Sequence, residues 1–174
     1  RMELLRLRRR LVVAQRGHKL LKDKLDGLMK EFLEIGKDYK KFRLLVDDEL
    51  PYVLKLFVLA EITSSRKITE EALESTKQDL HLTVKPRRLM SVVIPKIEVS
   101  FGAATGMYSF VHTSPELDQA VDSLKVFLPK LLRMAELEEA VRRLSLEIEK
   151  TRRRVNALEH TFIPRLDVTI KYIK

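Results

Sequence analysis

Stepping along the chain from Leu4 by alternating threes and fours meets Leu7, Leu11, Ala14, His18, Leu21, Leu25, Leu28, Phe32, Ile35, Tyr39, Phe42, Val46, Glu49, Val53, Leu56 and Ala60. Only His18 and Glu49 in that series are neither apolar nor aromatic. Eight heptads of such regularity predict a long helix with one apolar seam, of the kind two helices bury against each other in a left-handed coiled coil. Asp47-Asp48-Glu49 ahead of Pro51 resembles a helix start, because acids sit well near the positive N-terminal dipole and proline suits the first turn. The pattern therefore predicts a kink or short break near residues 47–51, with the seam resuming in phase at Val53.

The other end of the chain repeats the theme. Ser114-Pro115-Glu116 supplies an N-cap, a proline at the first helical position and an early acid. Leu117, Val121, Leu124, Leu128, Leu131, Met134, Leu137, Val141, Leu144, Ile148, Thr151, Val155, Leu158 and Phe162 then mark a second seam. Pro129 should kink this helix. Pro164 should deprive the carbonyl of His160 of its partner, and Leu166, Ile170 and Ile173 carry the face onward by wider steps. Between the two helices, Leu80–Phe101 is rich in Val, Ile and Thr, with partial alternation. The "KPRR" run at Lys85–Arg88 is expected to divide it into two short strands of a hairpin, and Met107–His112 reads as a third strand.

The fold class is thus mostly α. It is a long antiparallel two-helix left-handed coiled coil of N- and C-terminal helices with a small central β-hairpin insert. The expected divisions are 1–76 for the first helix, 77–113 for the insert and 114–174 for the second helix, together forming one structural domain. A helix rises about 1.5 Å per residue, so arms this long span roughly 70–90 Å. Such an arrangement buries a seam but no deep core. The start at Arg1 and a helical pattern reaching Lys174 suggest a polypeptide that continues beyond both ends.

Composition adds charge to this picture. Charged residues make up 34% of the 174, aromatics 6%, and the net charge is +9. Residues 1–43 hold fourteen Lys/Arg against six Asp/Glu, so most of the excess lies there. That bias suits an acidic or polyanionic partner. With no cysteine there is no disulfide, thiolate metal site or cysteine nucleophile, and a reducing compartment fits. No apolar run approaches the roughly 20 residues a membrane span needs, and no signal peptide is evident.

Catalytic chemistry is hard to find. There is no G-x-x-x-x-G-K-[ST] and no G-x-G-x-x-G, so nucleotide hydrolysis by this chain alone is not expected. His18, His81, His112 and His160 show no H-x-x-x-H or H-E-x-x-H spacing. The pairs Glu138–Arg142, Glu139–Arg143 and Glu149–Arg153 fall at i,i+4 in the favourable order and read as helix support. Neither a metal nor a cofactor is expected.

Two stretches stand apart. In "QRGHKLLKDK", Gln15–Lys24, a glycine and a histidine interrupt a leucine seam, and a mid-helix glycine costs roughly 1 kcal/mol against alanine. In "KTRRRVNALEH", Lys150–His160, Val155 and Leu158 hold the seam. Arg152, Arg153 and Arg154 fan out about 100° apart. From spacing alone the arginines are a solvated face, a set of docking groups for surrounding carboxylates, or, less well, a nucleic-acid contact. The last lacks both a single basic stripe and a recognition motif.

At these residues the chain resembles a known family. "RMELLRLRRRLVVAQRGHKLLKDK" and "EIEKTRRRVNALEHTFIPRLDVTIKYI" are similar to the D subunit of V-type and A-type ATPases, the central-stalk rotor subunit. The strongest blocks are "RGHKLLKDK" and "RRRVNALE", and Ser114–Leu132 is also family-like. The resemblance implies a shaft whose paired ends enter a head of alternating A and B subunits. Together with the F subunit of the central stalk, its other end would dock on a socket subunit above the membrane ring. Such a shaft couples ATP hydrolysis or synthesis to H⁺ or Na⁺ transport, is itself non-catalytic, and lies on the cytoplasmic side without entering the membrane or binding nucleic acid. It implies that Arg9, Arg10, Arg16, Lys19, Lys22, Arg152, Arg153 and Arg154 meet acidic stator groups. Antiparallel pairing of the ends would set residue 18 opposite roughly 156–160. Gly17 would then allow close helix approach, and His18 would hydrogen-bond Asn156 or a nearby carbonyl to fix the register. The alternative is a stand-alone basic coiled-coil adaptor or nucleic-acid-binding scaffold.

Overall fold

A computed structural model describes residues 2–75, 77–105 and 113–173. The third strand expected at Met107–His112 lies outside the described residues. Helix α1 spans Met2–Ser64, α2 Arg66–Ser75 and α3 Pro115–Ala157; a five-residue π-helical turn, Leu158–Phe162, leads into α4, Ile163–Ile173. Strands β1, Lys77–Leu89, and β2, Val92–Thr105, form a two-stranded antiparallel hairpin.

The heptad pattern explains α1 position by position. Every residue of its seam from Leu4 to Ala60 is buried or half-buried. The helix runs unbroken through Pro51, which corrects the interruption expected at 47–51. An interior proline costs about 3 kcal/mol. Here Val46 and Val53 on either side of it enter one core with Phe127 and Met134, so the flanking turns are held in the same helix. The interruption comes at Ser65, whose φ of 77° lies in the left-handed region, as at many helix C-termini. Its carbonyl then accepts from both the backbone N–H and the hydroxyl of Thr69, opening α2. Pro129 likewise lies inside a continuous α3. This helix starts at Pro115 as the sequence predicts, but the Ser114 carbonyl takes the Leu117 N–H at 3.0 Å while its buried hydroxyl has no partner.

The hairpin departs from expectation in one respect. "KPRR" does not divide the strands; it lies within β1, and the turn is Met90-Ser91. Proline is tolerated where a strand's missing N–H would point away from the ladder, and a two-stranded hairpin has such a side on both strands. Met90 takes φ 52°, a conformation ordinarily left to glycine or asparagine in tight hairpins.

The residues cluster into two compact units. The first contains 1–35, 90–92 and 141–174; the second contains 36–89 and 93–140. Within the first, α1 runs antiparallel to α3 and the segment after it, and Ala14, Leu28, Leu144, Thr151, Val155 and Ile170 are buried. The second is richer in large side chains. Phe127 is 2% exposed and packs with Val46, Val53 and Met134, flanked by Tyr39, Phe42, Leu50, Phe57 and Leu131. Ala60, Ala72 and Leu117 make a second cluster there.

Candidate partner-contact surface

Pairing in the first unit turns apolar residues inward and the cations outward. Arg9, Arg10, Arg16, Lys19 and Lys22 on α1 are all exposed, as are Arg152, Arg153 and Arg154 on α3 between the buried Thr151 and Val155. Successive helical residues are about 100° apart, so burying Val155 commits the three arginines before it to other directions. Arg153 pairs with Glu149 one turn back.

Polar links join the helices across their seam. His18 Nε2 lies 3.2 Å from Glu159 Oε2, inside the window expected for residue 18. The partner is Glu159 and not Asn156, which is exposed. Glu159 stands four residues after the buried Val155, and so on the same helix face, whereas Asn156 is turned a further 100° away. The glycine expectation is also corrected. A Cβ placed on Gly17 would meet nothing within 4 Å, while one on Gly27 would lie 2.8 Å from Met90 Cε at the hairpin tip. Of the two, Gly27 is therefore the glycine that admits a close neighbour.

Lys24 Nζ donates to Glu147 Oε1 at 2.8 Å with both side chains mostly covered. This hydrogen bond, then the nearby positive charges of Lys24, Lys150 and Arg154, hold the Glu147 carboxyl below its ordinary range against partial desolvation. In the second unit Lys130 Nζ reaches both carboxylate oxygens of Glu49 at 2.7 Å. The two polar interruptions of the first seam, His18 and Glu49, are thus each answered by an oppositely chargeable group. Polar groups at seam positions favour one register over neighbours shifted by a heptad.

Sequence patterning does not single out the buried carboxylate Glu136. It accepts from Arg133 Nη1 and, at 3.5 Å, from the backbone N–H of Ile97 in β2, which ties the hairpin to α3. A clue is present: Glu136 stands beside the seam residue Leu137 and, unlike Glu138, Glu139 and Glu149, has no Arg four residues on. On the hairpin surface, Lys85 and Lys96 both donate to Glu98 and lower its pKa, with the Lys85 hydrogen bond the larger cause. Among the described residues no group of three or more His, Asp and Glu could hold a metal ion, and no helix is long and apolar enough to cross a membrane.

A helix pair with an apolar seam, charged outer faces and a small hairpin agrees with the stalk class of protein that the sequence resemblance implies, and comparison with known proteins supplies the family. The profile of the family of ATP synthase D subunits matches residues 3–174. The D subunit of the V-type ATP synthase of Thermoanaerobacter sp. (strain X514) is 46% identical over 175 residues, covering 99% of this chain and 84% of that protein. The corresponding D subunits of Clostridium novyi (strain NT) and Fusobacterium nucleatum subsp. nucleatum are each 44% identical, covering 100% of this chain and 83% and 84% of theirs. The chain belongs to the family of ATP synthase D subunits, as a component of a V-type ATPase complex.

Proposed function

We propose that this chain is the turning shaft of its complex, non-catalytic itself, with its paired ends inside a head of A and B subunits. The F subunit and a socket subunit above the membrane ring complete the stalk, on the cytoplasmic side and peripheral to the membrane. ATP hydrolysis in the head turns the shaft and drives H⁺ or Na⁺ transport; transport in the reverse direction makes ATP. The observation that carries this reading is the division of labour in the paired ends. Apolar residues and the cross-helix pairs Lys24–Glu147 and His18–Glu159 hold the helices to each other, while all eight cations named above stay exposed toward an outside partner.

A shaft must exchange partners as it turns. Solvent-exposed ion pairs are worth about 0–1 kcal/mol each, so many of them grip without locking. A deep apolar contact would hold one angle too firmly to release.

The test is to assemble the complex with Arg152→Gln, Arg153→Gln and Arg154→Gln together. The A, B and F subunits should still co-purify, while rotation of a bead on the stalk and ATP-driven ion transport both fall. Unchanged transport would remove the arginines from the mechanism. Failure of the unaltered chain to recover the A, B and F subunits, with steeply salt-dependent DNA binding instead, would replace the shaft by a nucleic-acid scaffold.

A further inference from the structure

The two strands of the hairpin differ in how they are covered. In β2, Val92 and Ile94 are buried and Ile97, Glu98 and Val99 half-buried; in β1 every residue from Asp79 to Arg88 is exposed. The Ile97 N–H points away from β1, toward Glu136. The turn at Met90-Ser91 sets Ile97 opposite Val84, and the contact between Gly102 and Asp79 fits the same register. In an antiparallel ladder, opposed residues either exchange both hydrogen bonds or direct both sets of groups outward. Val84 therefore also points its N–H and C=O away from its partner strand. With a period of two, so do Leu82 and Leu80.

That outer edge has definite limits. Pro86 belongs to the same outward set and offers no N–H, so pairing along the edge stops short of the tip. The edge left open runs from Leu80 to Val84. On one face of the strand it carries Leu80, Leu82 and Val84, which are 42%, 51% and 61% exposed. The same face continues into a shallow apolar groove of about 170 Å³ lined by Leu80, Phe101, Val121, Leu124, Lys125 and Leu128. The other face carries His81, Thr83, Lys85 and Arg87. An open edge with an apolar face invites strand addition.

We propose that the outer edge of β1, Leu80–Val84, receives an extended acidic segment from another subunit of the same ATPase, adding a third strand to the hairpin. Alternate apolar side chains of that segment lie over Leu80, Leu82 and Val84 and enter the groove. Its acidic side chains lie where the segment leaves the edge beyond Val84, within reach of the exposed Arg87 and Arg88; Lys85 is already taken up by Glu98. The proposal rests on the stalk reading only for the source of the segment.

Hydrogen exchange in the assembled complex, against the chain alone, tests it. The amides of Leu80, Leu82 and Val84 should slow roughly tenfold or more on assembly, while those of His81 and Thr83, already bonded to β2, change little. Leu82→Pro removes one outward donor without touching the inner ladder. It should abolish the slowing at Leu80 and Val84 and leave His81 and Thr83 protected. Arg87→Glu, a surface change that spares the backbone, should weaken the slowing in the same place. A complex that never assembles with the unaltered chain counts against the stalk reading. One that assembles with the three outward amides as fast as in the free chain overturns the strand addition. So does slowing in the free chain that grows with concentration, which would mean self-pairing.

Discussion

The two compact units of this chain hold their helices together by different means. The second places Phe127, Val46, Val53 and Met134 in one cluster with aromatic flanks. The first fills its seam with aliphatic side chains, among them Leu28, Leu144, Val155 and Ile170, and adds the cross-helix pairs His18–Glu159 and Lys24–Glu147. Apolar burial has no preferred direction and grows with area, so it anchors the aromatic unit strongly. Ion pairs contribute less but demand a particular alignment. Both units carry a cross-helix polar pair that favours one register, Lys130–Glu49 in the second; what sets the second apart is its aromatic cluster, and what sets the first apart is its cationic exterior.

The sharpest way to break this contrast is Phe127→Ala. It should cost about 3–5 kcal/mol in denaturant unfolding, and a loss below about 1 kcal/mol would mean that the aromatic cluster is not an anchor. Next comes Gly17→Ala in the other unit. With no neighbour near its Cβ, the change should stabilise the isolated chain by roughly 0.5–1 kcal/mol through helix propensity, read as a higher Tm. Gly27→Ala should gain less, because the same methyl must displace Met90 Cε. Equal gains at the two glycines would erase the distinction between them.

The smallest effect concerns Glu147. Glu147→Gln should cost about 0.2–1 kcal/mol, because the pair is partly solvated. The pH dependence has a definite sign. The folded-state pKa lies below the ordinary 4.5, chiefly through the hydrogen bond from Lys24. The contribution is therefore fully present above 4.5 and is lost as pH falls through the lowered value. The stability difference between the parent and Glu147→Gln should shrink over that acid range; a difference that grew on acidification would reverse the assignment.

Much of the fold was legible because the seam of α1 obeys one period throughout, and burial follows it from Leu4 to Ala60. The second seam is less regular. Leu124 and Phe162, both on the expected walk, are exposed, while Ala120 and Phe127 are buried in the second unit. Two threes in succession at 131–134–137 mark a shift of phase, but periodicity alone does not say which neighbours then turn inward. The hairpin turn falls beyond Pro86; a proline ordinarily ends a strand, but one with an open side tolerates it. The eight surface cations were legible as exposed charge. The partners of His18, Glu49 and Lys24 depend on helix alignment to within a residue, which no local pattern specifies.

The π-helical turn at Leu158–Phe162 has a consequence for the last stretch of chain. The Ile163 N–H donates to the Leu158 carbonyl five residues back, so the backbone has already widened before it reaches Pro164. One extra residue is absorbed there, and apolar positions separated by five, Leu158 and Ile163, follow one another on the covered side. The segment acts as an angular offset that reorients α4 by about one residue's turn and brings Ile170 back under cover. Excising a single residue from it would rotate the terminal helix by about 100° and swing Ile170 out into water.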